Sequence, residues 1–293
     1  MSKLCLGTVQ LGMKYGVKNA LGRQPTEAES FAILQAARQG GVQYLDTASA
    51  YGEAEALLGR FGMEKAGFRV ISKLRPEMER NGNERAVLPE IEKSLRRLRL
   101  RRLFGYMLHR AEAMEDRGIV RGMLAAKEKG YVEHIGVSVY EPEEALCVVQ
   151  SGVWDMIQIP YNVLDQRLDE TPFFEEARKN HVKVFARSAF LQGLLLMEPE
   201  HLPPNLQKAR PYVDKFRRIA AQNRYTPEEG ALLYSYCHPG IDYVVFGVDT
   251  EAQLMGNLGI SGKAEDFGAC WKELNGAFSG VPREIIVPSL WRQ

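Results

Sequence analysis

The chain is poor in the features that would tie it to a metal, a disulfide framework, a membrane or a polyanion. Its four cysteines, Cys5, Cys147, Cys237 and Cys270, stand far apart with no CxxC pair. That spacing excludes a zinc ribbon and a small disulfide scaffold, and the expectation is buried thiols in a reducing compartment. No HxH, HExxH or clustered His/Asp/Glu set offers a metal site. No apolar run approaches the ~20 residues of a membrane span. The opening MSKLCLGTVQLG lacks a basic stretch followed by an apolar core, so a cytoplasmic protein without membrane attachment is expected. Formal net charge is only +1, which gives no global reason to hold nucleic acid. The one dense basic cluster, Arg96, Arg97, Arg99, Arg101 and Arg102, has no interleaved aromatics and has Glu84, Glu90 and Glu92 nearby. It reads as a helix C-terminus, where cations suit the dipole.

What is present is a repeat of short apolar runs and amphipathic segments over 293 residues, with 45 % of residues hydrophobic and no low-complexity linker. The runs predict eight strands: Leu4–Leu6, Val42–Asp46, Arg69–Lys73, Leu103–Leu108, Val132–Val137, Met156–Ile159, Val182–Ala186 and Tyr243–Phe246. Helical spacing fills the gaps, as in Glu27–Arg38 with Phe31, Leu34 and Ala37, and in Val87–Leu98 with Val87, Ile91, Leu95 and Leu98. Each connection is long enough for a crossover helix. The pattern predicts an α/β fold, a (β/α)8 TIM barrel forming a single domain over residues 1–293, because nothing marks a second domain. Phe190–Pro211, with Pro199, Pro203 and Pro204, reads as a long functional loop after the seventh strand, followed by helices Tyr212–Asn223 and Pro227–His238. The tail Gly280–Gln293, with Pro282, Pro288 and Trp291, is expected to fold over one end of the barrel.

In such a barrel the chemistry sits at the carboxyl ends of the strands. The second apolar run ends at Asp46 with Tyr51 five residues on, the third at Lys73, and the fourth just before His109. These types form a coherent acid site. An ammonium beside a phenol favours the phenolate and pulls its pKa down, so Lys73 would make Tyr51 a better proton donor. Asp46 would keep Lys73 charged, and His109 would hydrogen-bond a substrate oxygen. His134, His181 and His238 read as structural.

With these blocks on the page, LDTASAYG, ISK and MLHR in that order, the chain resembles the aldo-keto reductase superfamily over nearly its full length. The resemblance implies reduction of an aldehyde or ketone by hydride transfer from a nicotinamide cofactor, with Asp46, Tyr51, Lys73 and His109 as the catalytic set and no metal. It implies cofactor contacts from Gly7 and Thr8 in GTVQLG, from Ser138 in GVSVY and Gln158 in QIPYN, and from Arg187, Ser188, Phe190, Gln192 and Gly193 in RSAFLQG. After the eighth strand Gly247, Asp249, Gln253 and Asn257 fall at cofactor positions. Three departures stand out. Val139 replaces a usual Asn, and Arg187 stands where an aromatic ring often stacks on the nicotinamide. Where relatives carry a serine and a basic residue for the 2′-phosphate of NADP, this chain has Val248, Asp249 and Gln253. NADP follows from the resemblance, yet a carboxylate at Asp249 suits the ribose hydroxyl of NAD.

Tyr15, Tyr140, Leu191, Gln192 and Trp291 are the expected substrate walls, for a medium-sized and partly apolar carbonyl compound. A monomer or small homo-oligomer is expected. The rival readings are a cofactor-binding regulatory subunit of the same fold, and a lyase or isomerase that recycles its nicotinamide internally.

Overall fold

Eight apolar runs, none longer than seven residues, pair side by side in chain order and close on themselves. In this computed structural model, which describes residues 2–81 and 84–291, the strands are β1 (Leu4–Gly7), β2 (Tyr44–Asp46), β3 (Arg69–Lys73), β4 (Leu103–Leu108), β5 (Val132–Ser138), β6 (Met156–Pro160), β7 (Lys183–Arg187) and β8 (Tyr243–Phe246). All pairings are parallel and β8 closes onto β1, giving an eight-stranded barrel. The crossover helices include α1 (Glu27–Gln39), α2 (Ala54–Phe61), α3 (Glu84–Leu98), α4 (Arg117–Glu128), α5 (Pro142–Gln150), α6 (Phe173–Lys179), α7 (Arg210–Gln222), α8 (Pro227–Tyr236) and α9 (Glu251–Ile260).

Side-chain alternation along each strand creates two cores. Cys5, Tyr44, Ile71, Phe104, Met107, Met156, Phe185 and Val245 fill the barrel, while a larger set packs between strands and helices. Filling the barrel needs bare backbone in places: a Cβ on Gly136 would lie 2.5 Å from Met156 Cγ, and one on Gly105 2.6 Å from its sulfur. On the outer layer Val87, Ile91, Leu95 and Leu98 of α3 are buried, as their spacing predicts. Arg97 in the last turn of α3 pairs with the buried Glu55 at 2.6 Å, so part of the basic cluster serves the fold.

Two strands begin later than their apolar runs suggest. Val42 and Val182 are β-branched and buried, but each backbone N–H bonds back to the preceding helix, to Ala37 and Ala177. They finish helix ends that turn through the left-handed Gly41 and His181. The loop after β7 is also more ordered than its prolines imply. It winds through three short 3₁₀ turns between Leu191 and Ala209 and buries Leu191, Leu194, Leu195, Leu202 and Leu206. Of the four cysteines, Cys5 and Cys270 are buried as expected, whereas Cys147 on α5 is exposed and Cys237 is intermediate.

The tail returns across the mouth. Arg283 pairs with Glu141 in the loop after β5, and Pro288 and Ser289 reach the wall of the central cavity. The end of that tail, Gln293, lies outside the described residues.

Candidate active site

The parallel register brings one residue from each of several strands to the same rim. Gly7 stands opposite Asp46, Lys73 ends β3 beside Met107, Ser138 stands opposite Gln158, and Arg187 ends β7 opposite Pro160. Around them opens a cavity of about 810 Å³, within the range of small-molecule sites. The four residues Asp46, Tyr51, Lys73 and His109 all line it. So do Gly7, Thr8, Ser138, Gln158, Arg187, Ser188, Phe190, Gln192, Gly193, Gly247, Asp249, Gln253 and Asn257.

Lys73 is the hub of the deep end. Its ammonium, 1 % exposed, donates to Asp46 Oδ1 at 2.6 Å, to the Thr47 carbonyl at 3.2 Å and to the Tyr51 hydroxyl at 3.5 Å. The same Asp46 oxygen accepts the Gln158 side-chain amide at 2.8 Å, and Thr8 Oγ1 donates to the Asp46 carbonyl at 3.0 Å. Burial works against the charge on Lys73, but Asp46 and Tyr51 together outweigh it and hold its pKa above the ordinary lysine value.

Tyr51 sits on the turn between β2 and α2, where neighbouring backbone fixes it. Its amide bonds to the Ala48 carbonyl at 3.0 Å, and its own carbonyl accepts Ala54 N–H at 3.0 Å. The turn lies against the segment after β1 so closely that a Cβ on Gly12 would fall 1.8 Å from the Tyr51 carbonyl oxygen. Gly52, at φ 52°, meets the same segment from the other side of the turn: a Cβ there would lie 2.4 Å from the Gly12 carbonyl oxygen. The sequence reading of the phenol needs one correction. Burial raises the Tyr51 pKa, and the Lys73 ammonium opposes that rise without overcoming it. The lysine therefore keeps a buried phenol from becoming still weaker as an acid; it does not bring it below the ordinary tyrosine value.

The His109 ring meets Tyr51 edge-on, with centroids 6.0 Å apart. Burial, reinforced by the positive charges of Lys73, Arg187 and Arg110, lowers its pKa to about 3. It is a neutral imidazole at any physiological pH. Its Nδ1 is buried without a partner. A bare lone pair there costs less than a bare N–H, so the proton belongs on Nε2. Behind His109, the carboxylate of Glu79 accepts its backbone N–H.

Two of the expected cofactor residues also hold contacts within the protein. Arg187 carries its guanidinium carbon 4.3 Å from the Tyr140 ring centroid and donates to the Val139 carbonyl at 3.1 Å. Asp249 has both oxygens engaged, by Asn19 Nδ2 at 3.1 Å and Ala20 N–H at 2.8 Å, while its own N–H donates to Gln253 Oε1. Among the substrate-wall candidates Tyr15, Tyr140 and Gln192 line the cavity. Leu191 is fully buried in the core, and Trp291 turns its indole N–H to the Ile285 carbonyl, leaving the wall to Pro288 and Ser289. The sequence reading misses Gln10, Lys18, Glu228 and Glu229, which also line the cavity. The Thr226 capping box with Glu229 marked the start of α8, but nothing local to it pointed to the groove.

Among the described residues no helix is long and apolar enough to cross a membrane, and no group of three or more His, Cys, Asp or Glu could hold a metal ion. The chain is 24 % identical over 280 residues to the uncharacterized oxidoreductase YqkF of Bacillus subtilis (strain 168), covering 88 % of this chain and 90 % of that one. It is also 24 % identical to the aldo-keto reductase YhdN of the same organism, over 86 % of this chain and 83 % of YhdN. Its fold is similar to that of the aldo-keto reductase AKR11C1 from Bacillus halodurans, solved in its holo form, with a TM-score of 0.75 and 21 % identity over 97 % of this chain and 94 % of that one. The glycerol dehydrogenase AKR11B4 from Gluconobacter oxydans matches with a TM-score of 0.72 and 21 % identity, over 96 % and 94 % of the two chains. Residues 3–270 match the aldo/keto reductase family, and with its closed barrel and rim of polar strand ends the chain belongs to that family of oxidoreductases.

Proposed function

We propose that this chain reduces an aldehyde or ketone to the alcohol, using NADH or NADPH, with Tyr51 as the proton donor. The observation that carries this reading is the contact of one buried ammonium, Lys73, with both the Tyr51 hydroxyl at 3.5 Å and the Asp46 carboxylate at 2.6 Å, at the deep end of a long cavity.

The walls suit a dinucleotide. Gln10 Oε1 is buried there without a partner, Gly247 has no room for a side chain against Gln10, and Ser138 and Gln158 present polar groups at the strand ends. Nicotinamide supplies the hydride when bound. His109, neutral and protonated on Nε2, donates to the carbonyl oxygen and draws charge onto it. Tyr51 then gives its proton to the developing alkoxide, and the phenolate left behind is held by Lys73 until solvent restores the proton. Asp46 keeps Lys73 charged through the cycle. The balance is one hydride to carbon and one proton to oxygen, with the dihydronicotinamide oxidised.

Away from Lys73 the cavity is lined by Asp249, Glu228 and Glu229, the last of these paired with Lys263, and the lining cations among the described residues are Lys18, Lys73 and Arg187. A 2′-phosphate at that end would lie among carboxylates, so NADH serves at least as well as NADPH. Turnover of both cofactors with a panel of aldehydes and ketones tests the reading. Tyr51→Phe should abolish nearly all of kcat while cofactor affinity stays. Absent turnover, or unchanged turnover in Tyr51→Phe, overturns it; a hundredfold preference for NADPH overturns the cofactor assignment alone.

A further inference from the structure

The cavity is not uniform in charge. Of the carboxylates that line it, Asp249, Glu228 and Glu229 stand away from Lys73, and Asp46 is balanced by the Lys73 ammonium at 2.6 Å. The reacting end keeps a further cation, Arg187, which closes β7 and lines the cavity. After burial and Lys73, its charge acts on both Tyr51 and His109. The guanidinium therefore lies close to the place where a carbonyl oxygen meets those two side chains. Every charge that acts on His109 is positive: Lys73, Arg187 and Arg110.

Arg187 is held in place without being neutralised. One of its nitrogens donates to the Val139 carbonyl at 3.1 Å and another to Ser188 Oγ at 3.3 Å, and the guanidinium carbon stands 4.3 Å from the Tyr140 ring centroid. Its backbone is fixed as well: the Arg187 carbonyl accepts the Tyr161 N–H at 3.1 Å, and Ser188 directly after it holds left-handed backbone at φ 68°. Such backbone is uncommon outside glycine and persists where its surroundings demand it. The carboxylates on this side of the mouth are already taken. Asp165, on which the Arg187 charge also acts, accepts from Arg167 at 2.7 and 3.0 Å, and Glu141 pairs with both Arg167 and Arg283. Arg187 itself pairs with no carboxylate among the described residues. A half-buried guanidinium at the reacting end, with N–H donors to spare, lacks a counter-ion.

We propose that the substrate is a short oxo acid, an aldehyde or ketone with a carboxylate a few carbon atoms from the carbonyl, and that Arg187 binds that carboxylate while Tyr51 and His109 hold the carbonyl oxygen. The proposal rests on the reading of the site as a carbonyl reductase and names its substrate class. A planar fork of N–H donors matches a carboxylate with two parallel bonds. One guanidinium also balances one carboxylate, whereas a phosphate dianion would keep a surplus negative charge. The carboxylate takes no part in the bond changes; it fixes which carbonyl compounds reach Tyr51. Arg187 is in this way a specificity-determining residue, at a position where the resemblance implies only a contact with the nicotinamide ring.

Steady-state turnover of 4-oxobutanoate and of its methyl ester, at saturating cofactor, tests this. In the native protein kcat/KM for the acid should exceed that for the ester about thirtyfold, the scale of a charge-assisted pair. Arg187→Met should bring that ratio to within about threefold of one, and Arg187→Lys, which keeps the charge and loses the fork, should hold about a third of the native ratio. The ratio is read within each protein, so a disturbed cofactor lowers both substrates alike and leaves it unchanged. Thermal melting identifies a variant that fails to fold, and the other variant then carries the test. A native ratio within about threefold of one overturns the oxo-acid assignment and leaves the reductase intact. A native preference that survives unchanged in the folded variants overturns the role of Arg187. Glyceraldehyde 3-phosphate turned over about tenfold better than 4-oxobutanoate overturns the carboxylate in favour of a phosphate. No turnover of these compounds or of the neutral aldehydes and ketones overturns the reductase reading, and the proposal with it.

Discussion

Lys73 makes its shortest hydrogen bond to Asp46, at 2.6 Å, and only a long one, 3.5 Å, to Tyr51. The ammonium is thus committed first to a carboxylate that holds it charged inside the protein. Asp46→Asn keeps the shape and removes the charge, leaving a buried ammonium without its counter-ion. Breaking such a pair costs about 3 kcal/mol of stability, and a weaker charge beside Tyr51 should lower kcat by about a hundredfold. Thermal melts and steady-state turnover check both. An Asp46→Asn protein with native stability and native kcat would mean that the pair is incidental.

The backbone around Tyr51 makes a separate prediction. A methyl group on Gly12 would stand 1.8 Å from the Tyr51 carbonyl oxygen and 2.8 Å from Ala54 Cβ. Neither neighbour is a flexible side-chain end, so Gly12→Ala must push the turn that carries Tyr51. Gly12 does not itself line the cavity. The expected result is a kcat lower by about a hundredfold, the scale of a 1 Å misplacement, with cofactor affinity retained. A variant that loses cofactor binding and keeps kcat would contradict this.

Much of this site could be read from the chain because its signals are local. A polar residue closing an apolar run identifies Asp46 and Lys73 without any knowledge of partners, and the order of the blocks supplies the rest. Strand starts at Val42 and Val182 misled because a buried β-branched residue satisfies a strand pattern equally well when it finishes a helix by bonding five residues back. The crossing of the rim by Tyr15–Leu21 was not legible for a different reason. Its residues are of mixed character with no hydrophobic period, and the bond from Asn19 to Asp249 joins groups 230 positions apart. The net rise in the Tyr51 pKa was equally out of reach, since the sequence names the charges near a phenol but not the depth of its burial.

Glu79 carries a cost that its surroundings do not remove. Burial, the largest influence, raises its pKa to about 7 from 4.5, against the backbone N–H groups of His109 and Arg110. Its Oε2 is buried without a partner. The folded state therefore holds a proton that the unfolded chain has released between about pH 4.5 and 7, and stability falls as pH rises through that window. Glu79→Gln keeps an acceptor for His109 N–H and removes the titration. It should stabilise the protein by about 1–3 kcal/mol above pH 7 and by almost nothing near pH 4. Denaturant melts at the two pH values compare directly; equal gains at both would mean that the side chain stays ionised in the fold.

His109 runs in the opposite direction. Its pKa of about 3, set by burial and then by Lys73, Arg187 and Arg110, lies well below the 6.5 of a free imidazole. Between these values the unfolded chain takes a proton that the folded chain refuses, so stability is full above about pH 6.5 and falls as pH drops toward 3. His109→Gln should flatten that fall, losing less stability than the native protein between about pH 7 and 5. In the proposed reaction the same neutrality has a kinetic consequence. An imidazole already neutral cannot supply an ionisation near pH 6–7, so the pH profile of kcat/KM should keep its form in His109→Gln while its height drops by about 10²-fold or more. A limb near pH 6.5 that is present in the native enzyme and vanishes in the variant would show that His109 titrates in the working range, and the neutral donor assigned to it would have to be abandoned.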